Sequence, residues 1–297
     1  MHKSYAVHTL IAQISTQLHR VYATERQCTQ HAWLLLSTVV KKSMAQLLTQ
    51  QTITLTKADE EQLTQWITQL VQEDKPIQYI IGDVPFGDLT IAVSPPTLIP
   101  RPETEDWVHA LIAQYKQKCS SDAQLRILDL CTGTGCIALT FAHAFKNATV
   151  IAVDIAADAV TLACRNAQLN SIPNVTVIQS DLFSALTPAS FDLIIANPPY
   201  IPATQWSQLP VSVRAWEDCR ALCAGDDGLT LIRAIIAQAG AWLTPNNTGL
   251  PSLALEIDCT QAAAAEQLMQ EAGYCDITLA IDAAHLPRVI MGSQPRR

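Results

Sequence analysis

Charged side chains are scarce in this sequence, and positive charge is scarcer than negative charge. Only 15% of the 297 residues are charged, and 19 basic against 27 acidic residues give a net charge of −8. Proteins that bind nucleic acid through its phosphates usually carry a basic stripe. The longest basic runs here are Lys41-Lys42 and Arg296-Arg297. We therefore expect no direct binding to nucleic acid.

Long apolar runs, a secretory leader and metal-type cysteine pairs are also missing. No stretch of roughly 18 apolar residues could span a membrane, and residues 1–8 lack an apolar core and a cleavage site. The nine cysteines include no Cys-x-x-Cys pair, and no histidine follows one at zinc-ligand spacing. We expect buried, reduced thiols, no metal and no membrane association. The expected location is cytoplasmic, with the mitochondrial matrix as the alternative if the source is eukaryotic.

The first part of the chain has a helical pattern. Hydrophobic residues make up 49% of the chain, enough for a packed core. Leu10, Ile14 and Leu18 recur at helical spacing, and two further apolar sets contain Trp33 and Trp66. This pattern predicts a small helical bundle over residues 1–75. Its apolar stripes exceed what such a bundle needs internally, so we expect it to dock a protein substrate.

Residues 76–103 have a different composition. Residues 77–81 and 86–93 are short apolar runs separated by Gly82-Asp83, which predicts two strands around a turn. Four prolines follow within residues 95–102 and predict an ordered, non-helical connector.

Candidate strands and helices alternate from residue 104 to residue 297. Helices fit at 156–169 and 229–243. The candidate strands are 126–130, 149–153, 175–178, 191–196, 253–257 and 287–291. This alternation predicts an α/β fold with a mostly parallel sheet that is covered on both faces.

A glycine-rich turn follows the first of these strands, in Asp129-Leu-Cys-Thr-Gly133-Thr-Gly135. Glycines there let a ligand approach the backbone, and the next helix offers free N–H groups at its N-terminus. Asp154 ends the second strand, where a carboxylate can accept both hydroxyls of a ribose. The turn also fits the dinucleotide fingerprint, so NAD(P) binding and a purely structural turn stay open. Asp129 favours S-adenosyl-L-methionine, because a carboxylate there would repel a pyrophosphate but suits an amino-acid end and a sulfonium.

Asp181 ends the third strand, in Ser180-Asp-Leu-Phe183. Its carboxylate could meet the amino group of adenine while Leu182 lines the ring. The alternative is that Asp181 simply begins a loop.

The fourth strand ends in Asn197-Pro198-Pro199-Tyr200. Two prolines make this turn rigid and remove two backbone donors. The Asn197 side-chain oxygen and the Pro198 carbonyl remain as acceptors, with Tyr200 beside them. Two such acceptors can bind both hydrogens of a planar NH2 group and stabilise the positive charge that develops when its nitrogen is methylated. A simple turn after the strand is the alternative.

The whole chain resembles the release-factor glutamine N5-methyltransferases (the PrmC/HemK family). The resemblance rests on the 76–82 segment, on Phe86-Gly, on Leu98-Ile-Pro-Arg-Pro-Glu-Thr-Glu105, on the two loops above, and on the 287–292 segment. It implies a seven-stranded, Rossmann-like class I methyltransferase sheet with a small N-terminal helical domain. It also implies a methyl transfer to the glutamine of the Gly-Gly-Gln motif in class 1 peptide-chain release factors.

The resemblance also implies site residues. S-adenosyl-L-methionine would contact the glycine-rich loop, Asp154, Leu182 and Asn197, and residues 197–200 would hold the glutamine. The loop residues concerned are Cys131, Thr132, Gly133, Thr134 and Gly135. Cys131 stands where many relatives have glycine, and Leu182 where some have tryptophan.

Two rival functions stay open at this point. Asn-Pro-Pro-Tyr chemistry also serves N6 of adenine in DNA or RNA, although the negative net charge and the 98–105 segment argue against it. The chain could also be an inactive binder of a release factor or ribosome, against which the two intact loops argue. We expect a monomer.

Overall fold

The computed structural model describes residues 2–120, 122–245 and 249–294, so Arg296-Arg297 lies outside the described residues. The helices are α1 (Val7–Leu18), α2 (Glu25–Val40), α3 (Met44–Leu48), α4 (Lys57–Gln72), α5 (Ile77–Ile81), α6 (Pro102–Lys118), α7 (Cys136–Ala144), α8 (Ala157–Leu169), α9 (Val211–Trp216), α10 (Thr230–Ala239) and α11 (Ala262–Glu271). The strands are β1 (His2–Ala6), β2 (Thr52–Thr56), β3 (Asp83–Phe86), β4 (Leu89–Ala92), β5 (Arg126–Leu130), β6 (Thr149–Asp154), β7 (Val175–Gln179), β8 (Leu193–Ala196), β9 (Leu253–Glu256), β10 (Cys275–Ile281) and β11 (Pro287–Ser293).

The chain divides into two compact units. The N-terminal unit contains Met1–Gly82 and Pro210–Trp216, and the sheet unit contains Asp83–Leu209 and Glu217–Arg297. This boundary differs from the predicted division at residues 75 and 103, because the 83–103 segment belongs to the sheet unit and helix α9 to the N-terminal unit. Asn166 holds strand β4 inside the sheet unit, since its side chain exchanges hydrogen bonds with the backbone N–H and carbonyl of Ala92 at 2.8 and 3.0 Å.

The N-terminal unit is mainly helical, as predicted. Leu10, Ile14 and Leu18 of α1 are buried in one core together with Trp33 of α2, while Trp66 of α4 packs against that core half-buried. An all-helical bundle was nevertheless wrong in one respect. Strands β1 and β2 pair antiparallel within this unit. The sequence of β2, Thr52-Ile-Thr-Leu-Thr56, has the alternation of a strand, which the prediction of a helical bundle overlooked.

The predicted strand at 77–81 is wrong. These residues form helix α5, which follows Pro76 and ends at Gly82 in the left-handed region with φ 97°. A proline before and a glycine after a short apolar run are helix boundary signals, and here they outweigh the β-branched composition. The hairpin follows this helix directly and is formed by β3 and β4.

The sheet unit contains the seven-stranded sheet. The strand order is β10-β11-β9-β8-β5-β6-β7. Strands β9, β8, β5, β6 and β7 run parallel, whereas β11 pairs antiparallel with both β9 and β10. Buried side chains of the central strands, such as Ile127 and Leu128 on β5, place the core on both faces. The α/β fold class and all six strands predicted for this sheet are confirmed, and β10 is the strand of this sheet that was not predicted.

The cysteines are only partly as expected. All nine are free, but Cys28 and Cys136 alone are buried, while Cys219 and Cys275 are exposed. Among the described residues, no helix has the length and apolarity needed to cross a membrane.

Candidate active site

The candidate site lies at the carboxyl ends of the parallel strands. Strand β5 lies between β6 and β8 in the sheet. The connections that follow β5 and β8 at this edge therefore run in opposite directions. A crevice at such a switch point is the usual ligand site of an open α/β sheet. Residues that follow β5, β6, β7 and β8 all line one cavity here.

The glycine-rich loop forms one wall of this cavity. Its lining residues are Cys131, Thr132, Gly133 and Thr134. Gly133 has φ 56°, and a Cβ there would meet only Thr97 Cγ2, at 3.9 Å. Gly135 has φ 83° and begins helix α7, and its Cβ would meet the Ala163 Cβ at 3.0 Å. Gly133 therefore leaves its backbone open to a ligand, whereas Gly135 allows the loop to pack against helix α8.

Asp129 does not line the cavity. It is 0% exposed, and its Oδ2 accepts hydrogen bonds from Thr132 Oγ1 at 2.6 Å and from the Ala138 N–H at 3.2 Å. Its Oδ1 has no hydrogen-bond partner among the described residues. Burial raises the pKa of Asp129 from 3.8 to about 7. The geometry indicates that Asp129 holds the loop to the start of helix α7, and its predicted contact with the methyl donor stays a prediction.

Asp154 lines the cavity and is bonded to the glycine-rich loop. Its Oδ2 accepts from the Gly133 N–H at 2.8 Å and its Oδ1 from the Ala156 N–H at 2.9 Å. Burial raises its pKa, and these two backbone donors oppose that shift. Each carboxylate oxygen keeps a second lone pair, so two hydroxyls of one ligand could bind here.

The segment after β7 supplies a further part of the wall, with Asp181 exposed and Leu182 half-buried at the cavity. Ser180 Oγ donates to the Leu182 carbonyl at 2.7 Å and receives the Ala185 N–H at 3.1 Å. Leu182 itself has φ 45°. These bonds fix the left-handed turn that brings its side chain to the cavity.

The Asn-Pro-Pro-Tyr turn follows β8. Asn197 and Pro199 line the cavity, whereas Pro198 and Tyr200 do not. The Asn197 Nδ2 donates to Thr104 Oγ1 at 3.2 Å, and the Tyr200 hydroxyl donates to Glu256 Oε1 at 3.4 Å. The Asn197 NH2 and the Tyr200 hydroxyl are thus hydrogen-bonded within the protein. The Asn197 oxygen is left as an acceptor for a ligand.

Several lining residues come from the 96–104 segment and from residues 218–221, for which the sequence pattern predicts no role. Arg101 makes a bidentate ion pair with the buried Glu217 at 2.8 and 2.6 Å. In the sequence, the only indication of these lining residues was the 98–105 segment. That segment carried the family resemblance but suggested no individual contact. Glu217 and Glu256 are distant in sequence from the groups they bind, so no local pattern indicates them.

The comparisons with known proteins agree with this geometry. The family described as PrmC N-terminal domain matches residues 9–82, and the family described as Methyltransferase small domain matches residues 106–211. The release factor glutamine methyltransferase of Salmonella typhimurium is 38% identical over 261 residues, which are 88% of this chain and 90% of that protein. The chain belongs to the release factor glutamine methyltransferase family.

Other members of that family give the same result. The release factor glutamine methyltransferase of Lactococcus lactis is 35% identical over 90% of each chain, and that of Thermodesulfovibrio yellowstonii is 38% identical over 73% of this chain and 76% of its own. This release factor glutamine methyltransferase family member is therefore an S-adenosyl-L-methionine-dependent enzyme. The resemblance drawn from the sequence is confirmed, and the adenine alternative is not favoured.

Solved structures support the fold alone. A methyltransferase from Pyrococcus furiosus superposes with a TM-score of 0.50 at 15% identity, over 80% of this chain and 100% of that chain. The hMettl16 catalytic domain in complex with MAT2A 3'UTR hairpin 1 gives a TM-score of 0.50 at 15% identity, over 80% of each chain.

Proposed function

We propose that this enzyme transfers a methyl group from S-adenosyl-L-methionine to the side-chain amide nitrogen of the glutamine in the Gly-Gly-Gln motif of a class 1 release factor. One observation carries the proposal. The Asn197 side chain lines the same cavity as the Gly133 turn and Asp154, so an acceptor for an amide NH2 lies beside a loop suited to the donor.

The residues present fit the donor. Gly133 leaves free space at the loop, Asp154 has lone pairs left for two ribose hydroxyls, and Asp181 and Leu182 lie where an adenine amino group and ring would need them. The bound donor supplies an electrophilic methyl group on a positively charged sulfur. The acidic groups around the cavity suit that charge, whereas they would oppose a pyrophosphate.

Asn197 and Pro198 would do the positioning work. An amide nitrogen is a weak nucleophile because its lone pair is delocalised. The Asn197 oxygen would accept one of its hydrogens and aim the nitrogen into the cavity. The Pro198 carbonyl would accept the other hydrogen, although Pro198 itself does not line the cavity in this structure. Both acceptors also stabilise the positive charge that develops on nitrogen. Pro199 holds the turn rigid, and the Tyr200 ring would pack beside the amide. The methylated nitrogen then sheds a proton readily, so these residues need not include a general base.

We further propose that the N-terminal unit docks the release factor, and that the enzyme acts as a cytoplasmic monomer without metal or direct nucleic-acid contact. The match of this one chain to both families supports a substrate role for the N-terminal unit.

The test uses purified enzyme and labelled methyl donor with an intact class 1 release factor, with nucleic acid, or with buffer alone. We expect one methyl group on the glutamine of the Gly-Gly-Gln peptide, located by mass spectrometry. Label on nucleic acid instead would support the adenine alternative, and label on neither would support the inactive-binder alternative.

A further inference from the structure

A buried hydrogen-bond network lies behind the Asn-Pro-Pro-Tyr turn. Glu256, at the end of β9, is 3% exposed. Its Oε2 accepts hydrogen bonds from Thr104 Oγ1 and from Trp107 Nε1, both at 2.7 Å, and its Oε1 accepts the Tyr200 hydroxyl at 3.4 Å. Three donors therefore converge on one buried carboxylate.

The network leaves Thr104 one way to bind Asn197. A hydroxyl has a single hydrogen, and that of Thr104 is given to Glu256. Towards Asn197, the Thr104 oxygen can only accept. The Asn197 group at 3.2 Å from it must then be the NH2, which turns the side-chain oxygen away from Thr104 in a residue that lines the cavity.

An ionised Glu256 fixes the direction of this hydrogen-bond network, because a carboxylate can only accept. Burial raises the pKa of Glu256, while its three donors and Arg288 favour the charged form. The indole of Trp107 can only donate, so Oε2 stays an acceptor even if a proton binds at Oε1. Thr104 therefore donates to Glu256 when that carboxyl is ionised or carries a proton at Oε1.

We propose that Thr104 and Glu256 are positioning residues that fix the amide orientation of Asn197, so that its oxygen and not its NH2 meets the substrate amide. The proposal rests on the proposed function. An asparagine amide and its flipped form have nearly the same shape, so only hydrogen bonds distinguish them. Pro198 and Pro199 have no backbone N–H that could do so. A flipped Asn197 would set a donor against the NH2 of the substrate.

The test replaces Thr104 by valine, which keeps the shape and removes the hydroxyl, with Thr104→Ser as the matched control. The measurement is single-turnover methylation of an intact release factor, with donor affinity by calorimetry. We expect Thr104→Val to lower the rate about tenfold or more, the effect of an oriented buried hydrogen bond. Thr104→Ser should stay within roughly threefold of the wild type, and both variants should keep donor affinity within roughly twofold. Glu256→Gln should also retain activity, since its oxygen can accept from Thr104 and Trp107. If Thr104→Val does not fold, Thr104→Ala takes its place.

A double-mutant cycle separates positioning from a general structural effect. In an Asn197→Ala background the hydrogen-bond network has no amide left to orient, so Thr104→Val should lower the rate no further. A Thr104→Val enzyme with wild-type rate, or one whose loss is equally large in the Asn197→Ala background, would overturn the inference and leave the proposed function standing. A wild-type enzyme that does not methylate the release factor would remove the proposed function and this inference with it.

Discussion

At the scale of single residues, Asn197 carries the proposed chemistry. Asn197→Ala removes one acceptor and leaves an amide hydrogen of the substrate unpaired in a desolvated site. Loss of one oriented group that acts on developing charge typically costs ~10²–10³ in kcat. We expect a fall of that size, with donor affinity changed much less, because the lost contact belongs to the transition state.

Asn197→Asp provides the comparison for that variant. Asp keeps an acceptor of the same size but loses the NH2 that donates to Thr104, and it adds a charge beside the methyl donor. Its rate should also fall well below wild type in single-turnover methylation. If Asn197→Ala kept more than about a tenth of the wild-type rate, Asn197 would only form the turn and the substrate amide would be bound elsewhere.

Asp154 should act on the donor and not on the methyl transfer itself. Asp154→Ala removes the proposed ribose contacts as well as the acceptor for the Gly133 N–H. We expect donor binding to weaken by about 1.5–3 kcal/mol, the range for hydrogen bonds to a charged group. Titration calorimetry measures this, with Asp88→Ala as the control, since Asp88 is an exposed carboxylate in the β3–β4 turn. Unchanged affinity in Asp154→Ala would exclude the ribose assignment.

At the scale of elements, the sequence indicates what lies at strand ends and misses what joins distant segments. The Gly133 turn, Asp154, Leu182 and Asn197 each follow a strongly apolar strand, and parallel strands bring their carboxyl ends to one edge. Thr104 and Glu256 are 152 positions apart, and only the packing of helix α6 near the end of β9 makes them a pair. Strand β10 was missed although Ile277, Leu279 and Ile281 alternate along its sequence, and Leu279 and Ile281 stay exposed in the fold.

Asp129 links strand β5 to helix α7 and should make stability depend on pH. Its pKa is raised from 3.8 in the unfolded chain to about 7 in the fold. Between these values the folded state holds one more proton than the unfolded state, so the free energy of unfolding falls as pH rises. The stabilising contribution of Asp129 is fully present below its pKa in the unfolded chain. It is lost as the pH rises through its pKa in the folded protein.

Asp129→Asn removes this contribution and keeps an acceptor for Thr132 and the Ala138 N–H. We expect the wild type to lose stability relative to Asp129→Asn between about pH 4 and pH 7, by up to ~1.4 kcal/mol per pH unit. Denaturant unfolding of both proteins across that range measures it. The difference between them cancels the contributions of Asp154, Glu217 and Glu256, whose pKa values burial also raises. Parallel pH profiles would show that Asp129 is charged in the fold.

At the scale of the whole molecule, the sheet unit contains all the residues of the proposed reaction, which leaves the N-terminal unit free for substrate recognition. Its core accounts for most of its apolar residues. Leu34 of α2 and Met44 and Leu48 of α3 nevertheless stay exposed, at 39%, 44% and 52%. Exposed apolar side chains of this size are suited to contact a protein partner.

A triple variant, Leu34→Lys, Met44→Lys and Leu48→Lys, tests that docking role. These side chains are exposed, so the fold should tolerate the change. We expect kcat/KM for an intact release factor to fall about tenfold or more, as for the loss of an apolar interface contact, while kcat/KM for a short Gly-Gly-Gln peptide stays unchanged. The matched control is Leu279→Lys with Ile281→Lys, which alters two exposed apolar residues of strand β10 in the sheet unit. Equal losses on both substrates would mean a damaged active site. If the intact factor were methylated as fast as by the wild type, release factor docking would not use these three side chains of the N-terminal unit.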